Sequence, residues 1–480
     1  MPTKRKHPSS SSSSVRSVRD STPNDEVVIT SPSASPITSK EGLAKVAADA
    51  LQLSSTVLTT TDQALEWCHL ARDLWLNDST REDDLVTVEQ LYRAALNAKR
   101  KRADGNTNKK KKKKTTTSTS YAALSPSDYR KAGERLSLLY LQSGRPQKAK
   151  PGLNYFGFTC RLSETILNYP QYKNPPNYQN KKNSNTKTTP PACILDEFLS
   201  ESQFKYLQDL FVDIDAEYWT GHDYAVEPPS PYFSYVIPIQ QKNKQGSFLD
   251  SLIQQIVDCP QLRRKFPLLA KARYVEMWAH NRPHASGHQM HFDSDNEGIG
   301  GVRNPIISTI LYLSDCKNNG GGVGGPSLIT NQRLQSTSLS NVRGWLAYSK
   351  PRRLVAFDGT VLHGVIPGKG VVPAAAAADD DSLPQPRHEQ RRVTLMLAFW
   401  KDIQLRDSVK PGAARPWPKG DDVPSWARKL LNARVRCGSD GSSPKMVDPV
   451  PIGHVYEDLD GNPLSNHQIM PEYEEVFQGF

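Results

Sequence analysis

The chain is short of apolar residues, of paired cysteines and of long hydrophobic runs. Only 37% of its 480 residues are hydrophobic. That proportion is low for a chain folded along its whole length, so part of it is expected to stay disordered. The six cysteines are scattered, with no C-x-x-C pair. This argues against a disulfide framework or zinc ribbon and fits a reducing compartment. The opening MPTKRKHPSSSSSS has no apolar stretch of the signal-peptide kind, and no apolar run approaches a membrane span. A soluble, intracellular protein with no membrane partner is expected. The run Gly320–Gly325 lacks the G-K-[ST] ending of a phosphate cradle and reads as a flexible hairpin connection.

What is present is positive charge in clusters, with a net charge of +11, which suggests acidic partners or nuclear import. Residues 1–60 are rich in Ser, Thr and Pro and read as a disordered tail. Residues 61–170 read as helical. Ala64, Trp67, Cys68, Ala71, Leu74 and Trp75 recur at helical spacing, and a second stretch begins with acids and ends with bases, as the helix dipole favours. Two further amphipathic stretches flank Gly144-Arg145-Pro146. This helix–turn–helix layout loosely resembles tetratricopeptide repeats. An insertion, 99–120, carries basic clusters at Lys99–Arg102 and Lys109–Lys114. It reads as a solvated, self-repelling loop and resembles a bipartite nuclear import signal, which favours the nucleus; nucleic-acid contact is the weaker reading. An Asn/Pro/Lys-rich linker spans 171–191.

From 192 to 403 the pattern turns to strands. PYFSYVIPI, ARYVEMWAH, HQMHFD, NPIISTILYLS, PSLIT, RRLVAFDG, VLHGVIP and RRVTLMLAFW are short, β-branched or aromatic, and punctuated by Gly, Pro and Asn. LDEFLSESQFKYLQDLFVDI precedes them as a helix with Ser200 as N-cap. The expected class is α+β, with a β-sandwich or barrel. Residues 404–480 form a C-terminal extension that caps the barrel or acts as a lid.

On a strand, His291 and Asp293 point to one face. An imidazole and a carboxylate so placed can share a metal ion, and His363 supplies a third ligand from a later strand. Two His and one carboxylate leave coordination positions open, which suits iron(II) that must also bind a co-substrate and O₂. Alone, H-x-D is a weak signal; the ordered strands downstream of it give it weight. HQMHFD, STILYLSD, a glycine-rich turn, LHGV and RRVTLMLAFW resemble the double-stranded β-helix (jelly-roll) of iron(II)/2-oxoglutarate oxygenases, the prolyl 4-hydroxylase-like group in particular.

That resemblance implies His291, Asp293 and His363 as Fe(II) ligands. It implies Arg392 as the clamp on the distal carboxylate of 2-oxoglutarate, with Thr394 on the same face and Tyr312 beside the co-substrate. Arg392 lies 29 residues after His363, far more than is usual in the group, so the Ala/Asp-rich stretch between them is read as an insertion. Arg391 is the alternative clamp and Lys369 a weaker one. Asp295 could replace Asp293, and His288 could pair with His291 in a helical H-x-x-H zinc site. His280 and His284 read as loop or pocket-wall residues, and Trp278 and Arg282 are left unassigned.

The implied reaction hydroxylates a substrate C–H bond while O₂ decarboxylates 2-oxoglutarate to succinate, with ascorbate as a supporting reductant. A protein or peptide substrate, oxidised at a residue such as proline, is expected. A nucleic-acid demethylase and a non-catalytic helical-repeat binding protein are the rival readings.

Overall fold

The computed structural model describes residues 40–56, 59–78, 82–101, 120–170, 189–224, 233–239, 246–295, 302–314, 322–334, 342–369, 391–405, 414–420, 423–432, 443–464 and 471–480. Eight strands form its centre: β1 (Tyr274–Pro283), β2 (His288–His291), β3 (Ile307–Tyr312), β4 (Ser327–Arg333), β5 (Gly344–Ala347), β6 (Leu354–Asp358), β7 (Val361–Val365) and β8 (Arg391–Trp400). They pair antiparallel in two sheets, β1-β8-β3-β6 and β5-β4-β7-β2. Successive strands alternate between the two sheets, except that β4 and β5 are neighbours in the second, which is the order of a double-stranded β-helix.

The first sheet is covered on both faces, which explains why β3 and β8 read as nearly unbroken apolar runs. One face carries Leu311, Leu395, Leu397 and Phe399 against two amphipathic helices, Glu201–Phe211 and Phe248–Asp258. The other turns Trp278, Ile310, Tyr312 and Met396 toward the second sheet. Ser200 caps its helix as expected: its hydroxyl accepts the Gln203 N–H at 3.2 Å, and the Gln203 side chain accepts the Ser200 N–H at 2.9 Å.

Among the described residues the N-terminal region up to Tyr155 holds five helices: α1 (Lys40–Thr56), α2 (Thr61–Asp78), α3 (Glu82–Asn97), α4 (Pro126–Gln142) and α5 (Pro146–Tyr155). Helices α1, α2 and α4 pack on α3, and α5 on α4. Gly144, at φ +69°, makes the turn between the last pair. The fold is therefore α+β, with most of its helices ahead of the barrel strands and one, Ser425–Asn432, after them.

Two expectations are corrected here. Helix α1 forms inside the stretch read as a disordered tail, because its alanines, Ala47 and Ala50, are buried against the other helices. The basic insertion is not a loop throughout: Lys99–Lys101 pairs with Ser120–Ala122 in a two-stranded ribbon. The second basic cluster, Lys109–Lys114, lies outside the described residues, as does most of the linker and of the Ala/Asp-rich stretch before β8.

The C-terminal extension joins the two halves. Val450–Ile452 adds to the edge of β5, and Tyr456–Asp458 pairs with Cys160–Leu162 beyond α5. A buried Arg161–Glu457 ion pair at 2.8 Å sits at that junction. Leu328, Leu346 and Leu362, on the outer face of the second sheet, share one core with the helices. No helix among the described residues is long and apolar enough to cross a membrane.

Candidate metal centre and co-substrate cavity

His291 and His363 are direct partners across the β2–β7 ladder. Partners across an antiparallel ladder present side chains to the same face, so the rings meet, with centroids 4.3 Å apart. Asp293, two residues beyond His291, turns back between them. Its Oδ1 lies 3.5 Å from His291 Nε2 and 3.7 Å from His363 Nε2. The three ligand atoms lie within 4.8 Å of one another.

Each part is held from behind. His291 Nδ1 is 2.7 Å from the Gln289 carbonyl and His363 Nδ1 is 3.0 Å from the Val361 carbonyl. A carbonyl only accepts, so each Nδ1 carries a proton and each Nε2 is the nitrogen turned inward toward Asp293. Asp293 Oδ2 accepts the Ser308 hydroxyl at 2.5 Å. Burial alone would raise the Asp293 carboxyl, but His363, His291 and Ser308 together hold it well below the usual carboxylate range. Burial pulls His363 down to about 4, so it stands neutral and able to ligate.

The same cavity, of about 40 Å³, extends to Arg392, Thr394 and Tyr312. Thr394 is the partner of Tyr312 on one side and of His280 on the other. The Tyr312 hydroxyl is fixed 3.0 Å from Ser327 Oγ. Arg392 is 4% exposed, and its Nε and one terminal nitrogen are buried with no hydrogen-bond partner among the described residues. Burial, reinforced by Arg282 beside it and opposed by Tyr312, pulls its guanidinium down to about 10. A buried cation so oriented fits the carboxylate of a ligand. The donor set likewise fits a divalent iron: two imidazole nitrogens and one carboxylate oxygen on one side.

The alternatives separate cleanly. Arg391 points away, its guanidinium bonded to the Asn281 side chain and carbonyl at 2.5 and 2.8 Å. Lys369 is bonded to Asn168. Asp295 is paired with Arg303 at 2.7 Å and accepts the Gln404 N–H at 3.0 Å. His288 lines the cavity, 4.6 Å from the His291 ring, but on a strand, so a helical H-x-x-H site does not form. His280 is a pocket-wall residue that accepts the Trp278 N–H at 3.2 Å. His284 accepts the Gly324 N–H at 2.9 Å.

Sequence reasoning missed two residues. Ser308 shares strand parity with Tyr312, so alternation along β3 could have placed it in the cavity. Gly324 does more than supply a flexible turn. It sits at φ +82°, and a Cβ there would lie 2.8 Å from Arg392 Cδ. The glycine leaves room for the Arg392 side chain.

No protein-family model matches the chain, and no curated protein matches it in sequence. Solved structures do. A prolyl-4-hydroxylase from Pseudomonas putida is 14% identical with a TM-score of 0.25, over 45% of this chain and 89% of that one. An oxidoreductase of the 2OG-Fe(II) oxygenase family from Burkholderia pseudomallei is 11% identical with a TM-score of 0.24, over 47% and 88%. EctD from S. alaskensis is 12% identical with a TM-score of 0.26, over 48% and 82%. The assignment of the fold rests on the strand order itself.

Proposed function

We propose that the chain is an Fe(II)- and 2-oxoglutarate-dependent dioxygenase that hydroxylates a substrate C–H bond. The observation that carries this reading is one juxtaposition: three ligand atoms within 4.8 Å of one another, and an unpartnered, buried Arg392 in the same small cavity. His291, Asp293 and His363 would hold the iron, which supplies the oxygen chemistry when bound. Arg392 grips the remote carboxylate of 2-oxoglutarate, while the Tyr312 and Thr394 hydroxyls line the path between clamp and metal. Ile310, Ile329 and Phe357 give the cavity an apolar wall.

A peptidyl residue is the expected substrate. The nuclear reading and the tetratricopeptide-like reading of the helices remain parts of this proposal.

Purified protein with iron(II) and ascorbate should convert 2-oxoglutarate to succinate, and the His291→Ala variant should not. Equal turnover in the two proteins would rule out the metal assignment.

A further inference from the structure

A second cavity, of about 260 Å³, lies between the helical region and the end of the barrel. Arg72 from α2, with Lys131 and Arg135 from α4, forms one wall. Arg282, at the end of β1, and the turn after it form the other. Four cationic side chains and one acidic side chain, Glu134, line the space, beside Phe480. Glu134 is already engaged by Arg130 at 2.7 Å on its own helix. Among the described residues neither Lys131 nor Arg282 has an ion-pair partner, and Arg282 Nε is buried with no hydrogen bond.

Arg282 is also the direct ladder partner of Arg392. Two guanidinium groups side by side on one sheet face, with no acid between them, repel each other unless anions neutralise them. One is met by the co-substrate carboxylate in the function proposed for the iron centre. The other opens on the second cavity. The two spaces adjoin: Gly287 lines the outer one and His288 the inner.

We propose that the outer cavity is an oxyanion site, separate from the iron centre, that takes a carboxylate-bearing ligand held by Arg282, Arg135 and Lys131. Guanidinium forks match carboxylates two oxygens at a time, and a concave wall of one charge concentrates such ligands. The carboxylate has two available sources: a free polycarboxylic acid filling the cavity, or an acidic side chain of a polypeptide reaching in.

The test is calorimetry on the full chain, with no metal added, using citrate, tetraglutamate and tetraglutamine. The variant is Lys131→Glu with Arg135→Glu, both exposed on α4, and Arg282→Gln is a second, milder variant. The site predicts that citrate or tetraglutamate binds, that tetraglutamine does not, and that affinity drops at least tenfold in both variants. Citrate binding alone assigns a free acid as the source; tetraglutamate binding alone assigns a side chain. Binding of neither acid, or equal affinity in wild type and variants, overturns the site. Unchanged circular dichroism of the variants serves as the folding control. Since the titration needs no metal, a failure of the iron reading and a failure of this site are told apart.

Discussion

His291 and His363 are each anchored in the same way, through Nδ1 to the carbonyl two residues upstream on their own strand. Ladder pairing places them opposite each other, and this shared anchor aims both Nε2 atoms at Asp293. The centre is thus pre-set by two short strands, and the contacts behind the ligands become testable.

Ser308 is the first of these. Its hydroxyl fixes Asp293 Oδ2 from the adjacent sheet. Ser308→Ala should weaken Mn(II) or Fe(II) binding by roughly tenfold, in the range found for groups that orient metal ligands, with little change in thermal midpoint. Titration calorimetry checks this; unchanged affinity would show that Asp293 is held without it.

Gly324 is the second. Gly324→Ala forces an L side chain into φ +82° and against Arg392 Cδ. The backbone cost alone is about 1–2 kcal/mol. Displacement of Arg392 should weaken 2-oxoglutarate binding on the order of tenfold or more, while metal binding is preserved. Gly420→Ala is the control. Gly420 sits at φ +85° with nothing within 4 Å, so it should lose stability without losing co-substrate affinity.

The eight barrel strands were legible in part because most carry β-branched or aromatic runs closed by Gly, Pro or Asn. The strand Gly344–Ala347 was not picked out: four residues with no alternation carry too little signal, and its pairing with β4 and Val450–Ile452 makes it a strand. Alternation placed His291 and Asp293 on one face, while His363 and Arg392 came from the resemblance of the ordered strands to the oxygenase group. The same rule separates Arg392 from Arg391, which one residue of register sends to the opposite side. The outer cavity was not legible, since its walls come from α2, α4 and β1, joined only by tertiary packing.

The scaffold makes its own prediction. Asp196, on the strand Ala192–Asp196, is paired with Arg353 at 2.5 Å and Lys350 at 2.7 Å, and Arg353 is 1% exposed. Burial alone would raise the Asp196 carboxyl; Arg353 and Lys350 outweigh it and hold it below its ordinary value. Its stabilisation is therefore fully present above the ordinary carboxylate pKa and is lost as pH falls through the lowered, folded value. Asp196→Asn strands a buried guanidinium and should cost about 3–5 kcal/mol at neutral pH. Urea unfolding should show the gap between wild type and variant narrowing in acid. A gap that stays constant would mean the carboxylate charge is not what stabilises the strand.

The joint roles of the iron ligands and Arg392 are tested most directly by anaerobic titration of 2-oxoglutarate into protein with and without Fe(II), read by calorimetry and visible absorption. Tight binding is expected only with iron present, with a visible chelate band in wild type, no band in His291→Ala, and a weakened complex in Arg392→Gln but not in Arg391→Gln. Binding that ignores iron, or that is unchanged in both His291→Ala and Arg392→Gln, would contradict these roles.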